Sequence, residues 1–480
     1  MTIMEAIHSL EKILRSDPEN MVAKHQLSNL YLEIGNELWK RCHPSFDPEF
    51  NLEKPDEPIA CWMRAIELNP QCVEAYFNIA VVRNYQGRHE EGTPFIKRGI
   101  ETRNQLSDSH PLARLGFRFL QTRTGILTQF GHLTSEPEVF IKIGELGWRP
   151  SYKGILLASK TANTCLLNYW RRHICVVTDP SLIRRLTPLA SELEYETFWT
   201  ALPNGNVEHL HNATIAVQRH WEAEGRPPLL SLTQEHLERG QRCLEEMGVP
   251  RNAWFVSLHV RDNASYKETS NSGSSIRNAD SETYLPAIKE IVDRGGWVIR
   301  VGDPSMDPLP EMDYVIDYAH SELRSDWMDI FLSSACRFLV GVCSGPVSIP
   351  STFGVPVIIT NVSPLDGGGY TKKDLFIPKM YWSEREDRML SFEEAFAPPL
   401  RACYNNYVLK SLGIRPINNS PEEIQDVVCE MLDRLDCTFV STEECDRLQK
   451  RYADLAGKYE SYGISYRIGR NFLRKYARLL

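Results

Sequence analysis

His259 and Arg261 stand two residues apart near the end of the apolar stretch Trp254 to Asp262 (WFVSLHVRD), and their types and spacing could do chemistry. On an extended strand, residues two apart point to the same face. A guanidinium placed there can take a phosphate through two parallel N–H bonds, which an ammonium cannot match. The same spacing also fits a structural ion pair for Arg261 and a hydrogen-bonded core histidine for His259, and the residues alone leave both readings open. The segment that follows, Asp262 to Asp280 (DNASYKETSNSGSSIRNAD), is long and polar. In a compact domain such a loop is usually either functional or disordered. Folded over a ligand, it would bring Lys267 or Arg277 to a diphosphate.

A second group follows the apolar run FLVGV: Cys343-Ser344-Gly345-Pro346-Val347-Ser348. A strand that passes through Ser344 and Gly345 into a helix start offers backbone N–H groups and hydroxyls, those of Ser344 and Ser348, to an anion. Pro350 would break a helix begun at Pro346, so the element either starts near Pro350 or is a short distorted turn. A tight strand-to-helix turn without a ligand is the alternative. Three groups could take a proton: Asp179, at the end of HICVVTD, and His209 and His211 in the cluster Glu208-His209-Leu210-His211. General-base chemistry needs such side chains, although each also fits a cap at the end of a strand or helix.

Composition bounds what these residues can belong to. With 480 residues, 42% of them hydrophobic and 24% charged, the chain is globular and too long for one core. A net charge of -9 argues against coating nucleic acid or membrane, so any anion site must be local. MTIMEAIHSL lacks the basic and apolar segments of a signal peptide, and no apolar run is long enough to span a bilayer, so a cytoplasmic protein is expected. The 12 cysteines are scattered without a Cys-x-x-Cys pair, which suits reduced thiols better than disulfides or zinc. No Asp-x-Asp, Gly-x-Ser-x-Gly, P-loop or Gly-x-Gly-x-x-Gly is present, which weakens metal-dependent transferase, serine hydrolase, NTPase and dinucleotide oxidoreductase readings.

The elements that must position these groups begin with a repeat. Leu14 to Pro18 followed by Ala23 is echoed by Ile66 to Pro70 followed by Ala75, an offset of 52 residues. A tetratricopeptide repeat has a period of about 34 residues, so an insertion of about 18 is required, and the Pro-rich segment from Cys42 to Pro58 supplies it. The second copy, EAYFNIAVVRNYQGRHEEGTPFIKRGIE, resembles such a repeat, with Ala80 at a close helix approach and Gly87 at the turn. A short solenoid of this kind leaves a groove for a protein or peptide, or serves only as a scaffold.

Beyond it, strand and helix patterns alternate. GILLAS, a helix-compatible stretch from Thr161 to Trp170, and HICVVT suggest one parallel unit. WFVSLHV, a helix from Ser281 to Arg294, WVIRV, Tyr314 to Ile316, a helix from Asp326 to Ala335, FLVGV and Val355 to Ile359 suggest a doubly wound parallel sheet. The expected fold class is therefore α plus α/β, with tetratricopeptide helical repeats followed by two Rossmann-like domains in tandem. The expected division is 1–110 repeats, 111–150 connector, 151–248 first α/β domain, 249–438 second α/β domain and 439–480 helical tail. That tail is basic and amphipathic from Tyr466 onward, which fits either a helix packed back on the protein or one lying peripherally on an anionic inner membrane.

The series HVRD (259–262), IRNAD (276–280), WVIRVGDPS (297–305), DIFLSSACRFLVGVCSGP (329–346) and FGVPVIITN (353–361) resembles a family of bacterial glycosyltransferases often fused to tetratricopeptide repeats. More distantly it is similar to the fucosyltransferases of the GT-B fold that carry a His-x-Arg motif. The resemblance covers about residues 250–365 and implies a GT-B pair whose second half binds a nucleotide-diphospho sugar, a GDP-sugar among the options. It implies that Arg261 binds the donor diphosphate with support from His259, that Asp329 holds the nucleobase edge, and that Ser344 and Gly345 complete the phosphate cradle. It implies no metal and no cofactor beyond the donor substrate. Two positions depart from the fucosyltransferase pattern: Asp262 replaces a second basic residue, and Gly345 replaces a second serine. The sugar and the base therefore stay open.

The expected activity is transfer of the sugar to a glycan, lipid-linked or protein acceptor of a cell-surface pathway, with a protein partner on the repeats and no nucleic acid. Two alternatives remain at this stage. One is an adaptor with an inert α/β part. The other is a protein O-glycosyltransferase, by architectural analogy with O-GlcNAc transferase.

Overall fold

The computed structural model of the chain describes residues 2–42, 56–120, 126–262, 273–365, 368–401, 403, 405–458 and 466–480. Most of the Pro-rich insertion, and Lys267, lie outside the described residues.

Five helices come first: α1 (Ile3–Ser16), α2 (Met21–Cys42), α3 (Asp56–Leu68), α4 (Val73–Tyr85) and α5 (His89–Ser109). Each packs on the next, most closely α2 on α3 and α4 on α5. The first stretch that resembles a repeat falls on α1 and α2, and the second on α4 and α5. Small residues set the approach, as the sequence pattern requires. A Cβ on Gly35 would sit 2.5 Å from the Trp62 indole nitrogen, and that fully buried indole donates to Asn36 Oδ1 at 3.0 Å. Gly87 turns the chain between α4 and α5 with φ of 71°, a conformation glycine adopts without a Cβ penalty.

A first parallel sheet is built from β1 (Phe117–Leu120), β2 (Lys153–Leu157), β3 (Cys175–Val177) and β4 (Glu194–Tyr195), in the order β3-β2-β1-β4. Helices α6 (Phe130–Glu145), α7 (Thr164–Trp170), α8 (Pro180–Glu192), α9 (Leu210–Ala223) and α10 (Gln234–Glu246) accompany it, with an antiparallel hairpin of β5 (Trp199–Ala201) and β6 (Val207–His209). The expected connector over 111–150 is corrected here, because it supplies the central strand β1 and the helix α6. Four residues are too few for β1 to show a period, and α6 is buried continuously from Leu133 to Ile143, which removes the one-sided pattern that marks a surface helix.

Polar groups buried in α6 are paired, as burial demands. Lys142 Nζ donates to Glu138 Oε1 at 2.5 Å and also to Gln218. Pro137 carries no N–H and cannot bond the Leu133 carbonyl, which instead accepts from the Trp170 indole at 2.8 Å.

The second sheet is parallel throughout and, among the described residues, has the order β16-β12-β11-β10-β7-β8-β9. Its strands are β7 (Phe255–His259), β8 (Trp297–Arg300), β9 (Val315–Asp317), β10 (Leu339–Val342), β11 (Val357–Val362), β12 (Leu375–Pro378) and β16 (Arg467–Ile468). Every residue of β7, β10, β11 and β12 is buried, which is why these segments read as unbroken apolar runs. Helices α11 (Leu285–Asp293), α12 (Asp326–Ala335) and the one-turn α13 (Ile349–Thr352) connect them. A small antiparallel sheet of β13 (Met380–Ser383), β14 (Arg388–Met389) and β15 (Ile414–Ile417) follows, with α14 (Phe392–Phe396) and α15 (Asn406–Ser411).

The segment expected as a separate helical tail belongs to this second domain. After α16 (Pro421–Leu435) and α17 (Glu443–Gly457), β16 pairs with β12 at the sheet edge, and α18 (Arg470–Lys475) packs on α16 and α17. Its cations lie along the protein surface in ion pairs: Arg467 with Asp446, Arg474 with Glu444, and Lys475 with Glu423. Among the described residues no helix is long and apolar enough to cross a membrane.

Candidate active site

In an open parallel sheet the carboxyl ends of the strands form the rim where ligands bind. Three of those ends in the second sheet bring polar groups together. Arg261 follows β7 and is only 4% exposed. Its Nε donates to Asn278 Oδ1 at 2.7 Å. Asn278 follows the short 3-10 turn Gly273–Arg277, and its carbonyl accepts from Lys379 Nζ at 2.8 Å. Lys379 directly follows β12 and is 3% exposed. Asn278 therefore bonds both cations, Arg261 through its side chain and Lys379 through its backbone.

The lysine is the unusual member of this group. It makes no ion pair among the described residues, and burial pushes its ammonium down to about 7, opposed only by the nearby Cys343 thiol. A buried cation without a counter-charge costs free energy that a bound anion would recover. A consequence follows for pH. The folded state binds the Lys379 proton less tightly than the unfolded chain does, so stability should rise with pH between about 7 and the ordinary lysine value. Affinity for a phosphate ligand should fall over the same interval. Urea unfolding across that range, compared with Lys379→Met, checks this: the variant should lose the slope.

Ser344 follows β10 after Cys343. Its Oγ is buried and has no hydrogen-bond partner among the described residues, so it can meet a ligand oxygen. Ser348 is different. Its Oγ donates to the Gly345 carbonyl at 2.7 Å inside the turn Gly345–Ser348. That turn is 3-10 and leads into the four-residue α13, so the short distorted element is the form realised. The long helix at this place comes from the other domain. A Cβ on Gly345 would lie 2.7 Å from the Gly131 nitrogen and 3.1 Å from Phe130 Cβ, at the start of α6. Glycine at 345 is what lets the first turn of α6 come this close.

On that turn stands a pair of residues that the sequence reading passed over. His132 Nδ1 lies 2.7 Å from Glu136 Oε1, one helical turn on. Glu136 is completely buried and also accepts from the Thr197 hydroxyl. With the carboxylate holding Nδ1–H, the imidazole presents Nε2 as a base, and a buried, hydrogen-bonded group orients the ring. The signal available in FGHLTSEPEVF was the His-x-x-x-Glu spacing, which is common on helices. For Lys379 it was a single lysine inside the apolar run LFIPKMYW.

The remaining candidates separate by surroundings. His259 is buried with Nδ1 facing the Val301 carbonyl at 3.2 Å, and burial holds it neutral at about 4. Asp262, where a basic residue would be expected, faces the fully buried Arg300 at 3.7 Å and accepts from the Asp307 N–H at 2.9 Å. Arg277 is half-buried in the turn before Asn278. Asp329, in the first turn of α12, is raised to about 6 by burial and lies beside the Tyr318 hydroxyl.

His211 opens α9, with its ring 5.5 Å from that of Tyr370. Tyr370 is buried between the domains, its hydroxyl pushed up by burial and by Cys343, Asp374 and Glu138. This places His211 at the contact between the two α/β domains. The other two candidate bases have different surroundings. Asp179 is exposed and caps α8, accepting from Ser181 Oγ at 2.5 Å and Leu182 N at 2.8 Å, bonds that lower its affinity for a proton. His209 is enclosed edge-on to Phe198 and pushed down to about 3 by burial and by His211 and His132. Neither suits proton abstraction at neutral pH.

The domains are also tied on a second side. Asp326 Oδ2, at the start of α12, accepts from the Thr164 N–H at 2.8 Å and hydroxyl at 2.7 Å, capping α7 from across the interface.

No family model matches the chain, and neither does any curated protein. Among solved structures it is similar to the crystal structure of the glycosyl transferase family 9 from Veillonella parvula DSM 2008, at 11% identity and a TM-score of 0.40 over 67% of this chain and 97% of that one. A mutant O-GlcNAc transferase from Thermobaculum terrenum matches at 12% identity and a TM-score of 0.20, over 98% of this chain and 95% of that one. At such scores neither likeness assigns the chain a family.

Proposed function

We propose that the chain is a glycosyltransferase that moves a sugar from a nucleotide-diphospho sugar to an acceptor hydroxyl of a glycan, lipid-linked or protein substrate. The observation that carries this reading is the buried Lys379, without an ion-pair partner among the described residues and joined through Asn278 to Arg261 at the rim of a parallel sheet, which suits a diphosphate. In this reading the two halves act as a GT-B pair. Arg261 and Lys379 meet the diphosphate, and Ser344 Oγ donates to it. Asp329 serves the nucleobase edge.

The acceptor oxygen attacks the anomeric carbon while His132 Nε2 takes its proton. The bond from that carbon to the diphosphate breaks, and the negative charge that leaves is met by the two cations. Since those cations come from the protein, the reading needs no metal.

A thermal-shift series with nucleoside diphosphates tests it. A ligand at a hundredfold excess over Kd stabilises the folded state by about 2.7 kcal/mol, so at least one should raise Tm measurably. If none does, the proposal fails.

A further inference from the structure

A cavity lies away from the rim, where the N-terminal helices, the β5–β6 hairpin and the loop before α15 meet. It has a volume of about 460 Å³ and is lined by His89, Trp199, Glu208, Asn212 and Arg401, with Phe198 in its wall. The three units are locked around it. Trp199 packs with Ala80 of α4 and Ile96 of α5, and a Cβ on Gly87 would lie 2.7 Å from Pro399 Cβ.

The polar groups of the cavity have an asymmetric chemistry. Arg401 Nε is buried and without a hydrogen-bond partner among the described residues, and Arg401 forms no ion pair among them. His89 Nε2 is likewise buried and without a partner. Its Nδ1 lies 3.1 Å from Asn84 Oδ1, an arrangement that places the proton on Nδ1 and leaves Nε2 as an acceptor. Burial and the neighbouring Arg401 keep that ring neutral, at about 4.

The cavity thus offers one cation, the acceptors His89 Nε2 and Glu208, the amide of Asn212 and an indole wall. Such a set suits a compact ring with several hydroxyl donors and a single carboxylate. A polyanion would meet Glu208, and a neutral ring would leave Arg401 unanswered. The volume lies at the small end of the range for small-molecule sites.

Phe198 links this cavity to the proposed base. Its ring stacks on His132 with centroids 6.0 Å apart and meets His209 edge-on at 4.4 Å. A ligand unit in the cavity is therefore one aromatic ring away from His132.

We propose that this cavity is a subsite for a carboxylate-bearing saccharide unit next to the one that reacts, held by Arg401 and His89. That the unit belongs to the acceptor rests on the glycosyl-transfer reading, whereas the binding itself does not.

The test uses the full chain and a panel of glucuronosyl, galacturonosyl and N-acetylneuraminyl disaccharides, each with its neutral counterpart, together with an Asp-Glu tetrapeptide, measured by saturation-transfer NMR and calorimetry. At least one acidic disaccharide should bind, about tenfold or more tighter than its neutral partner, as expected for a charge-assisted hydrogen bond. Arg401→Gln should abolish that preference while leaving any thermal shift with nucleoside diphosphates unchanged. Should that variant fail to fold, Asn212→Asp supplies the same reading by weakening the acidic member more than the neutral one.

The proposal is overturned if no acidic disaccharide binds, if the preference survives these substitutions, or if the tetrapeptide binds as tightly. Saccharide binding without any nucleotide shift would instead count against the transferase reading and leave this subsite standing.

Discussion

His132→Ala is expected to lower kcat by about 10²–10⁴-fold, the range for loss of a positioned general base, with little change in donor affinity. The base must be unprotonated to act, so the rate of the wild-type enzyme should rise with pH and level off. The variant should lose that ascending limb. Glu136→Gln should give a smaller loss, because a neutral amide still fills the buried site but no longer stabilises the imidazolium. Product formation with the donor found by thermal shift, followed as a pH–rate profile, measures both. If His132→Ala keeps wild-type turnover while His211→Ala loses it, the base is His211, the other imidazole at the domain contact.

Arg261→Ala is expected to weaken nucleoside-diphosphate binding by about 100-fold or more, because it removes the partner of a charge pair that is desolvated in the complex. The side chain is almost completely buried, so the lost contact cannot be replaced by water without disturbing Asn278. Arg261→Lys keeps the charge but not the fork, and should recover only part of the affinity. Calorimetric titration of both variants with the same nucleotide decides the matter. Equal affinity in wild type and Arg261→Ala would remove this residue from the donor site.

The two groups that these variants probe were unequally visible in the sequence. Arg261 announced itself because it ends an unbroken apolar run, and such a run has to be an interior strand of a parallel sheet. The strands and most of the crossovers from β7 to β11 were legible for the same reason. So was the break after β10, where Pro350 stops a helix begun at Pro346. His132 and Lys379 were hidden. Each stands in a stretch that gives no period, and each is placed by contacts with segments far along the chain. For Lys379 the partner is Asn278, 101 residues earlier. For Glu136 it includes Thr197, 61 residues later.

Asp179 and His209 show the converse difficulty. A proton acceptor at the end of a strand looks the same in sequence whether it caps a helix, packs against aromatic rings or faces a ligand. What separates these cases is the dielectric and the hydrogen bonds around the group, and those are properties of the packed protein. The segment over 111–150 was misread on similar grounds, since β1 is too short for a pattern and α6 is buried all round.

The sequence by itself determined the order of N-terminal helices followed by parallel α/β units, the strand that leads to Arg261, and the turn that Ser344 opens. Local periodicity and turn chemistry act over a few residues, so they can be read from one chain. Only the tertiary structure decided that α6 meets Gly345, that Asn278 joins Arg261 to Lys379, and that His132 stands beside the buried Glu136 and Phe198. Those outcomes depend on contacts between segments distant along the chain and on the burial those contacts create, which no local pattern encodes.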